Sequence, residues 1–313
     1  MNALLFPGQG SQFVGMGNEF FSKFDTVKKT FKLADEKLNR PISKIILEGP
    51  EDQLQLTENT QPAILIVSYS IFRVMQEEFD FNFKDFKFFA GHSLGEYTAL
   101  VCSNSLKIED AIYLLQERGR AMQKAVPVGQ GGMIAVLGSE IEKIDELLKS
   151  IDFKDGVCEV ANDNAKGQII VSGDKTSVSL FSSKLKELKV KTIPLKVSAP
   201  FHCTLMKPAA EVMKEKINNI NFNTPDKKII NNVTADEEKN SEKIKELLVQ
   251  QIYSSVKWRD SLIKMSKNGV ENFVDIGPGK VLSGMVKRTI KNAKSFSINS
   301  IADINNLKNE FKR

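Results

Sequence analysis

One serine of the chain lies in a sequence that is typical of an enzymatic nucleophile. Ser93 is the centre of Gly91-His92-Ser93-Leu94-Gly95, which matches the G-x-S-x-G pattern of a nucleophile elbow. In such an elbow a strand turns sharply into a helix, and glycines are needed where the turn is crowded. The free N–H groups at the start of the helix stabilise negative charge on a reacting acyl group. We therefore predict that Ser93 is a nucleophile, with a structural Gly-Ser turn as the alternative.

A serine nucleophile needs a base, and the chain has only two histidines, His92 and His202. Neighbouring side chains diverge in an elbow, so His92 is badly placed to reach the hydroxyl group of Ser93. If Ser93 has a histidine base, that base is therefore His202. A histidine whose hydrogen bonds are satisfied within a loop is the alternative for His202.

A third candidate is an arginine on a predicted helix. The apolar spacing predicts a helix from Ile108 to Ala125, and Arg118 falls on the edge of its apolar stripe. A buried guanidinium without a partner would be very costly, so Arg118 must meet a carboxylate, either of the protein or of a ligand. The sequence by itself slightly favours a carboxylate of the protein.

Two further elements must position the serine. The Phe-rich segment Phe86 to Ala90 predicts the strand that leads into the elbow. Before it, Ala63 to Met75 is apolar nearly all round, which is typical of a buried central helix. We expect Thr60 to cap this helix and Pro62 to lie near its first turn.

The N-terminal region predicts another strand and helix. Ala3 to Phe6 is apolar and runs into the loop P-G-Q-G-S-Q, whose glycines let the backbone approach a ligand, although a plain turn is the simpler interpretation. The apolar spacing from Asn18 to Leu38 predicts one amphipathic helix. Farther along, we expect strands at Ile229 to Val233 and at Val270 to Ile276.

The middle of the chain predicts a separate small unit. Between Met133 and Leu195 the expected order is β-α-β-β-α-β, which is the ferredoxin-like order. We therefore predict a ferredoxin-like small domain at 129–196, inserted into a large α/β domain made of 1–128 and 197–313. Asn162 and Asn164 are expected in the turn between the central strands of the small domain, and they are also candidates for lining a substrate cleft.

Composition excludes several classes of protein. The 313 residues carry a formal net charge of +5, with 41% hydrophobic and 27% charged residues. Because the basic residues are scattered, nucleic-acid binding is not expected. No apolar run reaches the ~18 residues of a membrane span, and the first residues do not resemble a signal peptide. Three separated cysteines support neither disulfides nor a metal site, so we expect a cytoplasmic protein without a bound metal.

Several blocks together resemble the malonyl-CoA:acyl carrier protein transacylase family. They cover almost the whole chain in the family's order: P-G-Q-G-S-Q, N-T-Q-P-A, G-H-S-L-G-E, Q-E-R-G-R-A-M-Q, S-A-P-F-H-C-T-L-M-K-P-A, I-N-N-V-T-A and G-P-G-K-V-L-S-G. The resemblance implies an α/β-hydrolase-like large domain with a mostly parallel sheet and an inserted ferredoxin-like α+β domain. It places the active site between the two.

The resemblance also implies residue roles. Ser93 is similar to the family's nucleophile and His202 to its base, while Arg118 matches the arginine that binds the malonyl carboxylate. The backbone N–H groups of Gln9 and Leu94 correspond to the oxyanion hole.

Gln251 matches the residue whose backbone carbonyl orients the histidine, so the resemblance implies a dyad without an aspartate. The implied reaction is ping-pong. It uses malonyl-CoA and phosphopantetheinylated acyl carrier protein and needs no cofactor bound by the enzyme. Lys287 and Arg288 are candidate contacts for the acidic carrier protein, and a monomer is expected.

Three alternatives remain open at this point. An esterase or thioesterase would need an acidic residue between Ser93 and His202 and gives no reason for Arg118. A scaffold that binds the carrier without turnover gives no reason for keeping all three side chains. A stand-alone acyltransferase that serves a polyketide synthase is not separated from one of fatty acid synthesis by the sequence.

Overall fold

A computed structural model describes residues 1–195, 197 and 199–311, and it places two β-sheets among them. The large sheet has the order β10-β9-β1-β2-β7-β8. Its strands are β1 (Asn2–Phe6), β2 (Phe86–Gly91), β7 (Lys228–Ile230), β8 (Glu237–Glu238), β9 (Asn272–Ile276) and β10 (Lys294–Ile298). All its pairings are parallel except that of β7 with β8.

The second sheet is antiparallel and has the order β4-β5-β3-β6. Its strands are β3 (Gly131–Leu137), β4 (Cys158–Ala165), β5 (Gln168–Asp174) and β6 (Lys191–Pro194). With helices after its first and third strands, this is the ferredoxin-like arrangement. The predicted α/β class, with a mostly parallel sheet and a smaller α+β unit, is therefore confirmed, whereas the boundaries 129–196 stay a prediction.

Fourteen α-helices lie in the described part of the chain. They are α1 (Asn18–Lys23), α2 (Asp25–Leu38), α3 (Ile42–Glu48), α4 (Glu51–Gln55), α5 (Thr57–Glu77), α6 (Gly95–Cys102), α7 (Ile108–Ala125), α8 (Ile141–Ser150), α9 (Lys175–Glu187), α10 (Lys207–Asn218), α11 (Ser241–Gln251), α12 (Trp258–Lys267), α13 (Val281–Thr289) and α14 (Ile301–Phe311). In that part, no helix is long and apolar enough to cross a membrane.

The central strands of the large sheet are buried on both faces, which explains why β1, β2 and β9 are largely apolar without alternation. In β1, Leu4 and Phe6 belong to the core cluster on one face, and Ala3 and Leu5 belong to the cluster on the other. Helix α5 packs into the first cluster and is buried along most of its length, as its composition predicts.

The predicted start of helix α5 is wrong. The helix begins at Thr57, so Thr60 lies within it and Pro62 is internal. A proline inside a helix leaves the carbonyl four residues earlier without its usual N–H partner. Here the carbonyl of Glu58 accepts a hydrogen bond from Arg40 Nη2 at 3.2 Å, which lets the helix continue through Pro62.

The single helix predicted from Asn18 to Leu38 is interrupted at Phe24, which is extended (φ −122°, ψ 127°). The Phe24 ring packs near the rings of Phe20 and Phe79, with centroids 6.4 and 6.2 Å away. This packing accounts for the interruption, which helical spacing alone does not reveal.

The two asparagines predicted in a turn lie instead within a strand. Asn162 and Asn164 belong to β4, which continues to Ala165. The register of β4 shifts near both asparagines, and both side chains are buried. Beside them, Val256 forms backbone hydrogen bonds with Asp163 and Ala161. Pairing with β5 and with Val256 therefore extends the strand, and the interpretation as turn residues is wrong.

Candidate active site

Ser93 lies at the tip of the sharp turn between β2 and α6. Its φ is +52°, in the left-handed region, and a non-glycine residue in that region stores strain that the surroundings must offset. The turn is so tight that a Cβ on Gly91 would lie 1.9 Å from the backbone of Gly95. Two hydrogen bonds with the Asn232 side chain stabilise this turn. Asn232 Oδ1 accepts from the Ser93 N–H at 2.7 Å, and Asn232 Nδ2 donates to the Gly91 carbonyl at 2.8 Å.

The predicted nucleophile and base are in direct contact. Ser93 Oγ lies 2.8 Å from His202 Nε2, and His202 Nδ1 lies 2.8 Å from the main-chain oxygen of Gln251. Because a carbonyl only accepts, Nδ1 carries the proton and Nε2 is free to accept the proton of Ser93. The partner of Nδ1 is a main-chain oxygen, so the acidic member of a hydrolase triad has no place there.

His202 is neutral at physiological pH. Burial, followed by the nearby positive charge of Arg118, lowers the pKa of His202 to about 3. Its side chain is therefore present as the base rather than as an imidazolium.

The other histidine makes a different contact, as the elbow geometry predicts. His92 Nε2 lies 2.7 Å from Asn164 Oδ1 in β4, and its ring meets Trp258 edge-on, with centroids 5.4 Å apart. His92 thus joins the elbow to the small sheet.

Arg118 is buried beside the dyad with 1% of its surface exposed. Its Nη1 donates to Gln61 Oε1 at 2.8 Å, and its Nη2 donates to Gln251 Oε1 at 2.9 Å and to Ser93 Oγ at 3.2 Å. These partners are uncharged, so the sequence-based preference for a carboxylate of the protein as its direct partner is wrong. A buried guanidinium with polar but uncharged partners is suited to receive a ligand anion.

The acidic side chain in this network is Glu96, which is 1% exposed and is connected to Arg118 through Gln251. Its Oε2 accepts hydrogen bonds from Gln251 Nε2 at 2.8 Å and from the Asn232 N–H at 3.0 Å. Burial raises the pKa of Glu96 to about 7, although these hydrogen bonds and the charge of Arg118 oppose the rise.

Sequence reasoning missed three residues of this network: Gln61, Glu96 and Asn232. Each carries a buried polar side chain in a segment that also contains several buried apolar residues. A polar residue in such a segment was the available signal, since it must find a buried partner.

The dyad and Arg118 open into a cavity between the two sheets. Met133 and Ile170 of the small sheet line this cavity, and so do Val281, Leu282 and Met285 of α13. The remaining predicted site residues that line the cavity are Gln9, Leu94, Asn162 and Asn164. In the described part of the chain, no group of three or more His, Cys, Asp or Glu residues could hold a metal ion.

The two basic residues predicted to contact a carrier protein lie outside the cavity. Lys287 and Arg288 are exposed in the last turn of α13, the helix that also contributes Leu282 and Met285 to the cavity. A partner that binds this helix end would therefore be close to the cavity.

Comparisons with known proteins agree with this geometry. The sequence model of the family described as "Acyl transferase domain" matches residues 3–311. The malonyl CoA-acyl carrier protein transacylase of Bacillus subtilis is 42% identical over 297 residues, covering 95% of this chain and 92% of that protein.

Solved structures give the same result. The acyl-carrier-protein-S-malonyltransferase of Bartonella henselae has a TM-score of 0.96 and 39% identity, covering 100% of this chain and 99% of that one. A malonyl-transacylase solved in complex with a type II PKS acyl-carrier protein has a TM-score of 0.94 and 37% identity, covering 98% of this chain and 99% of that one.

Proposed function

Because the chain belongs to the acyl transferase family and, within it, to the malonyl-CoA:acyl carrier protein transacylases, we propose that it transfers a malonyl group. The group moves from malonyl-CoA to the phosphopantetheine thiol of acyl carrier protein. One observation carries the proposal: Ser93 Oγ is 2.8 Å from His202 Nε2 and 3.2 Å from Arg118 Nη2 within one cavity. A nucleophile, its base and a cation for an acid substrate therefore meet at one oxygen.

In the first half-reaction, Ser93 Oγ attacks the thioester carbonyl carbon of malonyl-CoA. His202 Nε2 takes the hydroxyl proton as the C–O bond forms, while the Gln251 carbonyl keeps the other ring nitrogen protonated. The tetrahedral intermediate then collapses, the C–S bond breaks, and the proton on Nε2 passes to the sulfur of CoA. Malonyl-Ser93 remains.

The negative charge of the intermediate needs donors at the carbonyl oxygen. We assign these to the N–H groups of Gln9 and Leu94, because both residues line the cavity beside Ser93. Leu94 follows the nucleophile directly and precedes α6, so its N–H lies at the positive end of that helix.

Arg118 selects for the acid. Its charge lies in a buried pocket, where an ionic hydrogen bond to the malonyl carboxylate is stronger than in water. Acetyl groups lack that carboxylate and gain nothing from the guanidinium.

In the second half-reaction, the thiol of the carrier's phosphopantetheine arm attacks malonyl-Ser93. His202 Nε2 takes the thiol proton and returns it to Ser93 Oγ as the ester bond breaks. The same two residues thus serve both directions, as ping-pong transfer requires. We further propose the cytoplasm as the compartment, a monomer as the working unit, and 1–128 with 197–313 as the domain that carries the dyad.

Intact-protein mass spectrometry tests this proposal. After mixing with malonyl-CoA, the wild-type protein should gain the mass of one malonyl group and lose it when acyl carrier protein is added. Ser93→Ala should gain nothing, whereas Ser183→Ala, which removes an exposed hydroxyl on α9, should behave as wild type. A malonyl adduct that persists in Ser93→Ala would place the nucleophile elsewhere.

A second candidate function concerns the carrier. A malonyl-transacylase of similar fold was solved with a type II PKS acyl-carrier protein, so this chain could equally load a polyketide carrier. Measuring kcat/KM for a fatty acid carrier and for a polyketide carrier would distinguish the two, and the higher value identifies the physiological class.

A further inference from the structure

A chain of hydrogen bonds fixes how the Gln61 side chain is oriented. A guanidinium only donates, and Arg118 Nη1 donates to the side chain of Gln61 at 2.8 Å. The atom of Gln61 that faces Arg118 must therefore be its oxygen, Oε1. It follows that the amide nitrogen, Nε2, is left to donate to a group other than Arg118.

The Gln61 Nε2 group has a poor partner. It donates to the thioether sulfur of Met122 at 3.8 Å, and a thioether is a weak acceptor. Gln61 is only 1% exposed, so bulk water does not readily serve as a better acceptor for Nε2. A buried amide donor that makes only a weak hydrogen bond leaves much of its desolvation cost unrecovered.

This weakly bonded donor belongs to the catalytic cavity. Gln61, Met122, Arg118 and Ser93 all line the same cavity. A carboxylate that arrives beside Arg118 would bring strong acceptor oxygens next to Gln61, which contacts Arg118 directly. The amide could exchange the sulfur for an anionic oxygen without losing its bond to Arg118.

We propose that Gln61 is a specificity-determining residue, whose Nε2 donates a hydrogen bond to the carboxylate of the acyl group alongside Arg118. The ligand class is therefore a short dicarboxylic monothioester rather than a simple acyl thioester. This inference rests on the proposed function, because it assumes that Arg118 faces the carboxylate.

The competing explanation is that Gln61 only anchors Arg118. Gln61 Oε1 accepts from the guanidinium, so removing the side chain disturbs Arg118 as well. A double-mutant cycle separates the two roles, because an effect that acts only through Arg118 disappears when Arg118 is already absent.

The experiment measures kcat/KM for malonyl and for acetyl transfer in wild type, Gln61→Met, Arg118→Met and the double variant. Gln61→Met keeps the length of the side chain and removes the amide. We expect the ratio of malonyl to acetyl transfer to fall by about tenfold, the loss expected for one hydrogen bond to a charged group. Gln53→Met, at an exposed position of the neighbouring α4, should leave the ratio unchanged.

In the Arg118→Met background, Gln61→Met should lower malonyl transfer further and leave acetyl transfer unchanged. A malonyl-to-acetyl ratio within about twofold of wild type in Gln61→Met, or no further loss in the double variant, would overturn the inference. If Gln61→Met does not fold, Gln61→Glu replaces it in the Arg118→Met background. The introduced carboxylate would repel the ligand carboxylate there, and unchanged malonyl transfer would again overturn the inference.

The same measurements separate this inference from the proposed function. If wild type forms malonyl-Ser93 and the Gln61 variants keep their selectivity, only the role of Gln61 fails. If wild type forms no malonyl adduct, the proposed function fails.

Discussion

Glu96 and Arg118 are two buried charges that are joined through the side-chain amide of Gln251. The amide Nε2 donates to Glu96 Oε2 at 2.8 Å, and its Oε1 accepts from Arg118 Nη2 at 2.9 Å. The main-chain oxygen of the same residue accepts from His202 Nδ1 at 2.8 Å. Gln251 therefore holds both the base and the cation in place, and Glu96 orients the side-chain amide of Gln251 by accepting a hydrogen bond from Nε2.

Glu96→Gln should stabilise the protein at pH 8 while weakening malonyl transfer. Burial raises the folded-state pKa of Glu96 from its usual 4.5 to about 7. Between these values the folded protein holds a proton that the unfolded chain has released, so wild-type stability falls as pH rises through this range. The variant does not titrate and escapes this loss, which amounts to about 3 kcal/mol at full ionisation.

Denaturant unfolding at about pH 4 and pH 8 checks the prediction, because the difference between variant and wild type should appear only at the higher pH. Malonyl kcat/KM should fall at pH 8, since the buried guanidinium then lacks its compensating charge. Glu211→Gln, at an exposed position on α10, is the matched control and should change neither quantity. A variant that is less stable than wild type at pH 8 would contradict this account of Glu96.

The rate of acylation should stay nearly constant on mild acidification. With the pKa of His202 lowered to about 3, the imidazole remains a base far below the usual histidine range. At about pH 5, a histidine with an ordinary pKa of about 6.5 would be almost entirely protonated and inactive as a base. Rapid-mixing measurement of acetyl-Ser93 formation between about pH 5 and pH 7 checks this. Acetyl-CoA is the substrate because its acyl group has no carboxylate for Arg118, so titration of Glu96 should not change the rate through Arg118.

A fall of acylation that follows a pKa of about 6.5 would contradict the burial argument for His202. The control is circular dichroism over the same pH range, which should show that the fold persists.

Arg118→Ala should penalise malonyl transfer much more than acetyl transfer. Loss of an ionic hydrogen bond of roughly 1.5–3 kcal/mol lowers the relative kcat/KM by about tenfold to a hundredfold. The variant also removes the second cause of the low pKa of His202, so the acidic limb of its acylation profile should move to higher pH. Equal losses for the two acyl groups would remove Arg118 from carboxylate recognition.

The chemistry-bearing residues could be predicted because their sequence context is local. Ser93 is flagged by the glycines that its turn requires, and His202 follows by elimination once His92 is assigned to the elbow. The long helices follow from apolar periodicity, and the buried strands β1, β2 and β9 follow from short apolar runs. Arg118 was predicted to need a carboxylate, but its uncharged partners come from three distant segments that no local pattern brings together.

The errors lie where tertiary contacts override local preference. Helix α5 runs through Pro62 because Arg40 replaces the missing donor, which sequence spacing does not reveal. The turn predicted at Asn162 and Asn164 becomes strand because β5 and Val256 pair with it. Glu96 was missed because a glutamate in the first turn of a helix is common and usually exposed.

The last prediction concerns how the carrier protein binds. Lys287 and Arg288 are exposed at the C-terminal end of α13, and the same helix lines the cavity with Leu282 and Met285. An acidic carrier that contacts this helix end would lie close enough to extend its phosphopantetheine arm toward Ser93. Exposed charges of this kind mainly affect the rate of association and its dependence on salt.

Lys287→Glu together with Arg288→Glu should therefore raise the KM for acyl carrier protein and leave the KM for malonyl-CoA unchanged. The matched control reverses Lys28 and Lys29, an exposed adjacent pair on α2, which contributes no residue to the cavity. The effect of the first double variant should shrink as salt rises from about 50 to 500 mM, because salt already screens the attraction in wild type. An unchanged carrier KM at low salt would move the docking surface away from α13, because like-charge contact there would slow every encounter.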